Sequence, residues 1–168
     1  MKEIDKKLIE TISRYTASGI DQQVDYEKFY LYSLITHSTA IEGSTVTEVE
    51  NQLLFDEGIA AKGRSLNEQM MNVDLKNAYL YGFEWAKTGQ PYSVELLCEL
   101  SAKVMRRTGS EYSTMGGSFD SSKGELRRCN VSAGIGGRSY LAFQKIPKAT
   151  AYLCDWLNGE LASVDRND

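Results

Sequence analysis

Apolar residues along this chain recur mostly three and four positions apart, a spacing that predicts helices along most of its length. Lys2 to Tyr15 reads as a short charged helix that Ser18-Gly19 breaks. From about Asp25 to Ile41 a longer helix follows, with Leu31, Leu34, Ile35 and Ile41 on one face. Thr47-Glu48-Val49-Glu50 is a capping box. In it the threonine hydroxyl accepts from the third helical N–H, and the glutamate reaches back to the threonine amide. A helix is therefore expected from Glu48 to about Asp56. Gly58 and Gly63 bracket a loop. Ser65-Leu66-Asn67-Glu68 repeats the device and opens a long helix through Met70, Val73, Leu75, Ala78, Phe83 and Trp85. Gly89-Gln90-Pro91 ends that helix, and Ser93 caps the next, which carries Leu96, Leu97, Leu100 and Val104.

The periodicity then changes. Gly109 to Asn130 is dominated by Ser, Gly and polar residues and reads as an irregular loop. Val131 to Phe143 reads as a short β-hairpin. Gly134, Gly136 and Gly137 supply its turn, and Ser139 to Phe143 its clearer strand. Pro147 opens a last helix with Ala151, Leu153, Cys154, Trp156, Leu157 and Leu161. The expected fold class is mainly α with one hairpin. A chain of 168 residues forms one domain, and no repeat or linker divides it.

Composition narrows the function. A net charge of −4 without a Lys/Arg block lacks the footprint of a nucleic-acid binder. No apolar run reaches membrane-spanning length, and Met1-Lys2-Glu3-Ile4-Asp5 is too charged for a signal peptide. Cys98, Cys129 and Cys154 fit neither a zinc pattern nor a disulfide scaffold, so inert thiols in a reducing cytoplasm are expected. The glycine turn lacks the lysine and spacing of a phosphate loop. One histidine, His37, leaves at most one thiol–imidazole pair, and nothing in the sequence indicates one. Metal binding by protein ligands alone has no support. Arg127 and Arg128 are expected in surface salt bridges.

The sharpest chemical feature is Ser38-Thr39-Ala40-Ile41-Glu42-Gly43 at the end of the second helix. Ser38 and Glu42 lie four residues apart on the same face as its leucines. A carboxylate in a last turn sits at the negative end of the helix dipole, at a cost of a few tenths of a kcal/mol, and Gly43 supplies the left-handed cap. On local pattern alone, the favoured reading is Glu42 as a solvated helix end, with Ser38 bonded back to the preceding turn.

The wider segment, His37 to Thr47 followed by Glu48-Val49-Glu50 and Leu53-Leu54, resembles the N-terminal half of Fic (Fido) domain proteins. Their autoinhibitory motif is [S/T]-x-x-x-E-[G/N]. Glu68 to Ala78, with Asn72, resembles the next family helix. Gly124-Glu125-Leu126-Arg127-Arg128 resembles the G-x-[Y/F]-R stretch before the family's flap hairpin. The likeness runs over roughly residues 24 to 160. It implies a Fic-like helical bundle, with residues 1–46 as inhibitory helices and 47–168 as the start of the Fic core. It implies Ser38, Glu42 and Gly43 as inhibitory residues, and Tyr140 and Phe143 on the flap at about 131–143 as contacts to a target protein. For Tyr140 and Phe143, one packed in the core and the other at an exposed edge is an equal alternative.

Complete family members transfer AMP from Mg-ATP to protein hydroxyls through H-P-F-x-[D/E]-G-N-G-R-x-x-R. That motif is absent here, and His37 is followed by Ser-Thr-Ala. The resemblance therefore implies no catalytic residue and no cofactor for this chain alone. It implies an N-terminal fragment of an autoinhibited adenylyltransferase, ended at Asp168, whose partner is the missing C-terminal half or a protein target. Inner faces around Leu34, Leu75, Leu97 and Leu157 would then lack cover, and self-association is expected. A trans-acting, antitoxin-like inhibitor of a separate Fic enzyme and a plain helical interaction module are the alternatives.

Overall fold

The structure, a computed structural model, describes residues 3–23, 25–134 and 136–163. Lys2 in the expected first helix, Ile135 in the glycine turn and the end at Asp168 lie outside the described residues. The described chain is mostly helical, with one two-stranded antiparallel hairpin. The helices are α1 (Glu3–Ala17), α2 (Tyr26–Ile41), α3 (Glu48–Asp56), α4 (Leu66–Lys87), α5 (Val94–Val104) and α6 (Ile146–Ser163).

Local chemistry places most of these boundaries. Asp25 caps α2 by accepting from Lys28 N–H at 3.0 Å. Thr47 and Ser65 each form the complete reciprocal capping box, with Glu50 and Glu68, and Ser93 accepts from Leu96 N–H. Each box satisfies two otherwise orphaned donors. Thr47→Ala is expected to cost about 1 kcal/mol. That lowers the melting temperature by roughly 2–4 °C, and a calorimetric scan checks it.

α4 is the central strut, packing against α2 on one side and α5 on the other. A half-buried ion pair ties its middle to the turn that follows α5. The Asp74 side chain is fully buried, accepts from Arg107 backbone N–H at 2.7 Å, and also accepts from the Arg107 guanidinium. At the far end, Asn158 of α6 both accepts from Tyr92 N–H (2.8 Å) and donates to Tyr92 C=O (2.9 Å), so α6 grips the loop before α5. Gly124, at φ 71°, lies against Cys98 C=O of α5, where any Cβ would collide.

The hairpin is not where the sequence pattern put it. β1 (Glu111–Thr114) and β2 (Gly117–Asp120) pair in antiparallel register, Tyr112 opposite Phe119 and Thr114 opposite Gly117. This ladder falls inside the stretch expected to be irregular. The expected hairpin at 131–143 reduces to a single bridge, Ser132 to Ser139, with backbone bonds Ala133 N–H to Arg138 C=O and Tyr140 N–H to Val131 C=O. Phe143 opens a 3-10 turn, Phe143–Lys145, that leads into α6. The physical reason is that β1 and β2 are joined by one cross-strand aromatic pair, stacked at 5.0 Å, whereas residues 131–141 are exposed wherever described.

Candidate functional site

The C-terminal turn of α2 presents the carboxylate singled out above. Gly43 has φ 93°, and its N–H reaches Ala40 C=O while Ser44 N–H reaches Thr39 C=O. These two bonds make a Schellman cap. Glycine is required by the backbone angle alone, since a Cβ there would meet nothing within 4 Å. Glu42 is exposed, and among the described residues no side chain pairs with it. Ile41 beside it is 84% exposed.

The helix face differs from the expected one. Leu31 and Ile35 are buried, but Leu34 and Ile41 are exposed. α3 and α4 cover only the edge that carries Leu31, Ile35, Thr36 and Thr39. Ser38 is half-buried and without a hydrogen bond among the described residues. The inward hydroxyl belongs to its neighbour Thr39, which is 2% exposed.

Thr39 belongs to a buried polar cluster that sequence reasoning missed. Its Oγ1 lies 2.9 Å from Asn72 Oδ1 on α4. Asn51 Nδ2 of α3 donates to the same Oδ1 and to Thr36 Oγ1, both at 2.8 Å. Asn72 Nδ2 donates to Ser44 Oγ (3.1 Å) and to Glu68 C=O (2.8 Å). Asn51 and Asn72 are fully buried. Asn51 Oδ1 has no partner among the described residues, and an unmet buried acceptor costs about 1–3 kcal/mol.

A second ring of bonds secures the residues after the cap. Glu68 Oε1 accepts from both Thr45 N–H (2.8 Å) and Thr45 Oγ1 (2.7 Å), and its Oε2 serves the Ser65 cap. Arg64 bridges Glu50 and Thr45. The Ser65 hydroxyl, then the Thr45 hydroxyl and both amides, hold the Glu68 carboxyl down at about 2. A depressed folded-state value means that its contribution is present above its ordinary 4.5 and is lost as pH falls toward about 2. Acid titration of the melting temperature should therefore show a decline over that window, and Glu68→Gln should flatten it. An equally steep decline in the variant would contradict this assignment.

His37 lies 3.4 Å from Glu48, which also accepts from Ser33 Oγ at 2.7 Å. His37 thus flanks the first turn of α3 and has no thiol among these contacts. Cys154 is buried, and Cys98 and Cys129 are half-buried. Burial is the larger cause pushing the Cys98 thiol up, with Glu95 adding to it. Among the described residues, no group of three His, Cys, Asp or Glu side chains is placed to hold a metal ion. No helix among the described residues is long and apolar enough to cross a membrane.

Tyr140 is 61% exposed, while Phe143 is half-buried against the β1–β2 turn. A Cβ on Gly116 would come within 2.7 Å of its ring. Arg127 forms no salt bridge among the described residues. Its guanidinium instead donates to Cys129 C=O and to Leu141 C=O, stapling the two arms of the 128–141 loop. Glu42 and Ser38 thus lie on α2, and Tyr140 and Phe143 in the loop that feeds α6.

No family profile matches the chain, and no curated protein matches it in sequence. Solved structures do match it in fold. One is Fic-1 of C. elegans (residues 134–508), with a TM-score of 0.58 at 16% identity. That likeness covers 96% of this chain and 46% of the other, so this chain spans less than half of its structural neighbour. The helical bundle with its hairpin is therefore Fic-like in fold.

Proposed function

We propose that this chain is the inhibitory N-terminal part of a Fic-type protein adenylyltransferase, with Glu42 as its brake. In that reading Glu42 pairs with the second arginine of a Fic catalytic motif and denies it to the γ-phosphate of ATP. An arginine–carboxylate pair of this kind is bidentate, directional and strong in a partly dry cleft. The observation that carries the reading is the geometry of Glu42. Its carboxylate is exposed and unpaired among the described residues, yet it projects from a turn whose flanks are bonded into the core.

The reading assigns this chain no catalytic residue. Mg-ATP would be held by a segment carrying the catalytic motif, and Tyr140 would face the target protein. The exposed Leu34 and Ile41 would be covered by that catalytic segment, and the chain alone would self-associate in a cytoplasmic setting. The test joins this chain to such a catalytic segment and measures AMP labelling of protein from α-labelled ATP. Glu42→Gly should raise the labelling, and equal labelling would refute the reading.

A further inference from the structure

Glu42 stands in an overhang of the α2 end, Ile41 to Gly43, which is exposed throughout. Both flanks of that overhang are tied to one side chain. Before it, the Thr39 hydroxyl lies 2.9 Å from Asn72 Oδ1, nearer than its other acceptors, Ile35 C=O (3.0 Å) and Thr36 C=O (3.2 Å); after it, Asn72 Nδ2 donates to Ser44 Oγ at 3.1 Å. The amide is held in one orientation, because Asn51 Nδ2 donates to its oxygen and its own NH2 donates to Glu68 C=O. A flipped amide would put donor against donor at Asn51.

The geometry points to Asn72, acting through Thr39 and Ser44, as the positioning residue that fixes the turn bearing Glu42. The inference rests on the reading of Glu42 as the inhibitory carboxylate, which it deepens. α4 carries Asn72, so a displacement of α4 against α2 would move the brake without touching Glu42 itself. Asn72 is a positioning residue and not a catalytic one, because it touches neither nucleotide nor target.

Asn72→Ala strips several bonds at once and is a poor first test. Thr39→Val removes one hydroxyl at constant shape, and Thr39→Ser restores it. Amide hydrogen exchange, read by NMR on the full chain, should accelerate about tenfold at Gly43 and Ser44 in Thr39→Val. The Leu97 and Met105 amides of α5 should stay within about threefold, because the loosening is local. Thr39→Ser should return Gly43 and Ser44 close to wild type. Unchanged exchange at those two amides, or acceleration only in step with α5, would overturn the inference. In the AMP-labelling assay Thr39→Val should release part of what Glu42→Gly releases. No release by Thr39→Val alongside full release by Glu42→Gly would also overturn it. If Glu42→Gly releases nothing, the inhibitory reading fails, and the exchange data still decide whether Thr39 and Asn72 fix the turn.

Discussion

Asp74→Ala should lower the stability of this chain by about 2–4 kcal/mol, the largest single loss expected from a side chain outside the α2 turn. The Asp74 side chain is fully buried and accepts two bonds from one residue, the Arg107 backbone N–H and its guanidinium. Truncation strands the N–H and unties the turn that follows α5 from α4. Because the Arg107 side chain is 42% exposed, water can recover its charge, which keeps the expected loss below that of a fully buried pair. For a chain of this length the loss corresponds to roughly 5–15 °C in melting temperature. Asp74→Asn keeps an acceptor for the N–H and should lose less. A thermal melt of both variants checks the order. A shift under about 2 °C for Asp74→Ala would mean that the clasp contributes little.

The larger functional effect is expected at Glu42. In a polypeptide that also carries the catalytic motif, Glu42→Gly should raise AMP transfer about tenfold or more, the equivalent of one charge-assisted bond. Glycine also removes the side chain that would block the phosphate position. Glu42→Gln keeps the shape and loses the charge, so it should fall between glycine and wild type. The Schellman bonds of Gly43 and Ser44 involve only backbone atoms and remain available to the glutamine variant, so a gain in Glu42→Gln reports the lost charge.

What could be read from the sequence follows the range of the interactions. The caps at Thr47 and Ser65 are written within four consecutive residues each, and both formed as read. The cap at Gly43 was legible for the same reason, since a left-handed cap needs its glycine where the helical pattern stops. The β1–β2 ladder was not legible. Half of its strand residues are Ser, Thr or Gly, and the available signal was Tyr112 and Phe119 placed symmetrically about Met115-Gly116. The glycine-rich 134–137 turn suggested a hairpin, but that loop is held largely by the Arg127 guanidinium, which no strand pattern reports. Thr39, Asn51 and Asn72 carry ordinary polar side chains at helical positions, and only the meeting of α2, α3 and α4 turns them inward. The Asp74–Arg107 pair spans 33 positions and has no local signature. The choice between Ser38 and Thr39 turned on one step of helix rotation, finer than apolar periodicity resolves.

The central claim is that the Glu42 carboxylate meets an arginine of a Fic catalytic loop. A charge exchange tests it most directly, with AMP transfer measured for Glu42→Arg, for the loop arginine changed to glutamate, and for both together. The account predicts that Glu42→Arg releases transfer, that the loop change alone loses both the brake and the γ-phosphate contact, and that the double variant, with its pair restored in reverse, transfers less than the loop variant alone. A double variant as active as the loop variant alone, or a Glu42→Arg chain no more active than wild type, would contradict it.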